Sequence, residues 1–92
     1  MIMSKDFSPG DRIRILEDYH WAKGELGTIM QPPDYVVNFA DGWDGIHRKV
    51  SSLKGMLIFY WIKFDLPQMD SDGDGPYAEA EIDSEYLIRQ DS

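Results

Sequence analysis

From Arg12 to Leu16 the chain alternates Arg, Ile, Arg, Ile, the period of a strand with one wet face and with Ile13 and Ile15 directed inward. Leu26–Gln31 reads as a second strand, in which Gly27 marks a bulge or a close backbone approach. Tyr35–Ala40 reads as a third, with Tyr35, Val37 and Phe39 on one face and Val36 and Asn38 on the other. The longest apolar run follows at Met56–Phe64, where β-branched and aromatic residues suit a pleated surface. It is about half the length a bilayer requires, so it predicts a buried central strand. Ile58, Tyr60, Ile62 and Phe64 would face the core, leaving Leu57, Phe59 and Trp61 as an apolar stripe on the other face. Asp65-Leu66-Pro67 would end that strand. Tyr77–Ile82 resumes the alternation, Asp83–Tyr86 predicts one 3₁₀ turn, and Leu87–Arg89 a short last strand.

The intervening segments read as turns and loops. Ser8-Pro9-Gly10-Asp11 is a turn, Glu17–Glu25 a long aperiodic loop, and Gln31-Pro32-Pro33-Asp34 a turn forced by two prolines that cannot donate to a ladder. Asp41-Gly42 is a hairpin signal without an immediate partner strand. Trp43–Gly55 is an irregular excursion with a turn of helix around Arg48–Leu53, and Gln68–Pro76 is an acidic, glycine-rich loop. Met1–Phe7 reads as a loose arm whose Phe7 can tuck in as a lid. Five to six short strands without a long helix predict an all-β barrel or small sandwich, one domain over residues 1–92.

Charge changes the picture in one place. The net charge is −8, and residues 65–92 hold nine acids against Arg89 alone, whereas residues 1–64 hold eight acids and eight bases. An acidic surface repels phosphate backbones, which disfavours nucleic acid. The chain has no cysteine, which excludes disulfides and thiolate chemistry. The N-terminus lacks a signal-peptide core and no stretch reaches membrane-spanning length, so the expectation is a cytoplasmic protein with no membrane partner.

Pro9-Gly10-Asp11-Arg12-Ile13-Arg14-Ile15, followed by Lys23-Gly24-Glu25-Leu26-Gly27-Thr28-Ile29, resembles the opening strands of SH3-like barrels, in particular their KOW and photosystem I PsaE-like branches. Tyr35–Phe39 and Tyr60–Asp65 look like later strands of such barrels. The resemblance implies a small SH3-like barrel with two loop insertions, Trp43–Gly55 and Gln68–Pro76. Such barrels serve many kinds of partner, so the fold alone selects no function.

Four candidate sites remain. Asp70-Ser71-Asp72-Gly73-Asp74-Gly75, with Glu81 at the twelfth position, has the spacing of a calcium loop, in which Asp70, Asp72, Asp74 and Glu81 would be ligands. Calcium is thus the one candidate cofactor, and a solvated acidic hairpin loop is the alternative reading. Tyr19, His20, Trp21 and Trp43 are loop aromatics at the expected barrel rim, suited to a protein partner. Leu57, Phe59 and Trp61 would meet a partner, a second copy of the chain, or the folded-over excursion or N-terminal arm. His47-Arg48-Lys49 with Lys54 is the one basic cluster, able to meet a phosphate or the chain's own acids. No nucleophile–base pattern, P-loop or dinucleotide fingerprint occurs, so no enzyme is expected. The sequence thus predicts a non-catalytic protein-binding module, with calcium binding and then nucleic-acid binding through residues 47–54 as alternatives.

Overall fold

One strand organises the sheet. In the computed structural model, which describes residues 6–90, β5 runs Gly55–Gln68 and serves three neighbours. The strands before it are β1 (Arg12–Ile15), β2 (Leu26–Met30), β3 (Trp43–Asp44) and β4 (His47–Ser52); those after it are β6 (Tyr77–Asp83) and β7 (Leu87–Arg89). A helix, α1 (Asp34–Phe39), follows β2, and a 3₁₀ turn, Ser84–Tyr86, joins β6 to β7. All pairings are antiparallel, in the order β3-β4-β5-β2-β1-β7, and β6 also lies on β5. β4 pairs with residues 55–60 of β5, β2 with residues 61–64, and β6 with residues 59–63 and 68.

The fold is therefore all-β and barrel-like, as the alternation predicted, with seven strands rather than five or six. Ladder partners share a face, which places Ile13, Gly27 and Phe64 in one inward row and Ile29, Ile62 and Ala80 in the next. Ile13, Ile15, Ile29, Ile62, Ile82 and Leu87 are completely buried, so five different strands contribute to one core. Each such side chain contributes about 1.5–3 kcal/mol. Phe7 closes one end, its amide donating to the Tyr60 hydroxyl and its ring meeting Tyr60 edge-on. The rest of the expected N-terminal arm, residues 1–5, lies outside the described residues.

Two expectations fail together. Tyr35–Ala40 is not a strand but helix α1, and Trp43–Gly55 is not an irregular excursion but a hairpin, β3 and β4, running into β5. The expected helical turn at Arg48–Leu53 is strand for most of its length. β4 and β2 between them pair with residues 55–64 along one edge of β5, and residues 35–40 lie outside the sheet. Gly45, at positive φ, opens the two-residue turn that makes the β3–β4 hairpin possible. β5 also runs past Asp65-Leu66-Pro67, because its ladder to β6 is irregular between Lys63 and Gln68 and Pro67 owes no ladder donor there.

Candidate functional site

Helix α1 is the least buried element of the protein. Pro33 supplies its cap position in extended geometry, its carbonyl accepts from the Val36 and Val37 amides, and Asp34 suits the positive end of the short helix. Ala40 returns to extended geometry and ends it. Six residues are too few for a helix to persist on its own propensity, and none of these six is buried. Tyr35 is 71% exposed and Phe39 is 93% exposed, so the face that the alternation shared between them is turned to solvent.

Between α1 and the outer face of the sheet lies an open groove of about 450 Å³, lined by Tyr35, Val36, Phe39, Ala40, Arg48, Trp61 and Glu81. Its floor follows from the register: Trp61 opposes Met30 on one side and Glu81 on the other. The Trp61 indole N–H donates to Glu79 Oε1 at 2.7 Å, and Trp43 packs edge-on against the Trp61 ring. Arg48 ties the walls together. Its Nη1 donates to both Glu81 carboxylate oxygens, at 3.1 and 2.9 Å, and its Nε donates to the Asp41 carbonyl just beyond α1. The groove thus combines a braced polar rim with an apolar, aromatic lining, the composition of a binding concavity.

The structure separates the expected stripe on β5. Trp61 lies beneath α1 and is almost wholly covered. Phe59 lies beside Tyr19, Asp83 and Tyr86, and Leu57 beside the β4–β5 turn with Leu53 and Met56. The loop aromatics divide as well. Tyr19 is in the core rather than at the rim, stacked near His20 and Tyr86, and burial raises its hydroxyl above the ordinary 10.0. Trp21 packs edge-on against Phe64 and Tyr77, and His20 is exposed. His20 and His47 sit on different elements, each beside a tyrosine ring.

The acidic loop keeps part of its expected pattern. Carboxylate oxygens of Asp70, Asp72 and Asp74 lie within 4.8 Å of one another. Asp70 Oδ1 accepts from the backbone amides of Asp72 and Asp74, which by itself accounts for the tight loop. Glu81 is directed elsewhere, to Arg48. The basic cluster is likewise split: Arg48 is engaged within the protein, while Lys49 and Lys54 are exposed.

Tyr35, Val36, Phe39 and Ala40 were not among the sequence-predicted contact residues, whereas Arg48 was, and it pairs with the chain's own Glu81. The signal for the former was local: two prolines and then an acid, the order found at helix starts. The Val-Val pair and the aromatic residues around it carried the opposite message. Among the described residues no helix is long and apolar enough to cross a membrane. No protein-family model, curated protein or solved structure matches the chain.

Proposed function

We propose that the chain is a non-catalytic, partner-binding module on an SH3-like barrel, and that its contact surface is the groove between α1 and β5. The observation that carries this reading is α1 itself. A six-residue helix presents Tyr35 and Phe39 to solvent above a groove that already contains Trp61. Large exposed aromatics beside an apolar concavity are the composition of an interface core. The single antiparallel sheet wrapped around one core supports the SH3-like part of the proposal. A cytoplasmic setting belongs to the same proposal, and the cysteine-free sequence is compatible with it.

Of the other readings, cation binding on the acidic loop retains Asp70, Asp72 and Asp74 but not Glu81, and nucleic-acid binding loses Arg48 to Glu81. Both are weaker than the groove. The test places the photoreactive residue p-benzoylphenylalanine at position 39 or, as a control, at position 53 on the exposed β4–β5 turn. After irradiation in native extract, a discrete adduct from position 39 alone is expected. Identical adducts from both positions, or none from position 39, would refute the proposed surface.

A further inference from the structure

The surroundings of the groove are acidic. Asp34 opens α1 and Asp41 follows it, Glu79 accepts from the Trp61 indole, and Glu81 lines the groove. Arg48 is the one cation among the lining residues, and its guanidinium is already engaged by Glu81 and the Asp41 carbonyl. Glu81 also lines a second cleft, of about 370 Å³, with His20, Trp21, Asp70, Asp72 and Tyr77. The Trp21 and Tyr77 rings meet there with centroids 6.0 Å apart. Asp70 is turned into its own loop, whereas the exposed Asp72 carboxylate has no side-chain partner among the described residues.

Aromatic rings with a free carboxylate beside them suit a cationic side chain with an alkyl stem. The stem packs on the rings, and the charge gains from both the ring faces and the carboxylate. Because Glu81 borders both concavities, one extended segment can occupy the two together. Resting on the binding-module reading above, we infer that the partner is a short linear segment of another protein. It places an apolar side chain in the α1–β5 groove and a neighbouring lysine or arginine in the Trp21–Tyr77 cleft. A second copy of this chain is the poorer occupant, since two molecules of net charge −8 repel each other.

The test uses random dodecapeptides displayed on phage, selected on the full chain at low salt, with the enriched sequences synthesised and measured by fluorescence polarisation. Enriched peptides should pair an apolar residue with a lysine or arginine a few positions away, and Phe39→Asp should abolish their binding. Asp72→Lys should weaken them about three- to thirtyfold, and the effect should vanish when the peptide's basic residue is replaced by glutamine. Peptides that are lost with Phe39→Asp but show neither basic preference nor response to Asp72→Lys would overturn the inference and leave the groove reading standing. Failure to select any peptide, or binding indifferent to Phe39→Asp, would overturn both. Light scattering that shows a dimer dissociated by Phe39→Asp would assign the groove to a second copy and overturn the inference.

Discussion

Replacing Gly27 by alanine should damage the barrel even though the substitution improves intrinsic strand propensity. Gly27 lies in the ladder between Ile13 of β1 and Phe64 of β5. A Cβ added there would sit 2.7 Å from Ile62 Cγ2 and 2.9 Å from the Lys63 carbonyl oxygen. Neither neighbour yields cheaply. Ile62 is fully buried, and the Lys63 backbone is fixed between its partners Thr28 and Glu79. Overpacking of this kind costs about 1–3 kcal/mol. The φ of Gly27 is not in the left-handed region, so alanine also recovers about 0.5–1 kcal/mol through lower unfolded-state entropy. The net loss then falls within about 0–2.5 kcal/mol and centres near 1 kcal/mol, or roughly 4–8 °C in Tm for a domain of this size. Urea unfolding should show a lower midpoint at unchanged slope. In a double-mutant cycle, Ile62→Ala should relieve the clash, so that the pair costs less than the sum of the single variants. A Gly27→Ala protein stabilised by the full entropy gain of about 0.5–1 kcal/mol, or strictly additive with Ile62→Ala, would refute the close approach.

Other parts of the structure make separate predictions. Phe39→Asp and Tyr35→Ser should change stability by no more than about 0.5 kcal/mol in urea melts, because these side chains are exposed, whereas Ile62→Ala should cost about 2–5 kcal/mol. Arg48→Met should cost more than Glu81→Gln, within about 1–3 kcal/mol, since Arg48 also holds the Asp41 carbonyl; equal losses would count against its bracing role. The Asp11 carboxyl is held below its ordinary 3.8 by the Ser8 amide and then by Arg89, and the Asp65 carboxyl by Arg12. As pH falls below that value the unfolded chain takes up these protons first. Stability present above it should therefore drain away as pH drops through the depressed folded values, and Asp65→Asn should flatten that part of an acid-unfolding profile. Asp70→Ala should speed hydrogen exchange at the Asp72 and Asp74 amides, which lose their acceptor, without changing protection of the β5 amides.

The framework was legible because its signals are local and periodic. The alternation at Arg12–Ile15, the apolar run of β5, the Tyr77–Asp83 strand and the 3₁₀ turn after it all follow from side-chain period and turn chemistry. Gly27 was legible as a bulge or a close approach, and the unbroken register through it shows the close approach. The groove was not, because it depends on which strands pair with β5. Residues 35–40 have strand composition, but β4 and β2 pair along residues 55–64 of β5, and the segment after Pro32-Pro33 is a helix with outward-facing aromatics. Likewise the spacing of the acidic loop suggested Glu81 as a fourth ligand, while the register that places Arg48 within reach of it is a tertiary fact.

The proposed partner surface is α1 with the β5 face beneath it. Its most direct measurement is a quantitative comparison of proteins recovered from native extract by the original chain, by Phe39→Asp and by Leu53→Asp, once their melting curves have been shown to coincide. A partner retained by the original and by Leu53→Asp and lost with Phe39→Asp is expected. Recovery of the same proteins by all three would contradict it.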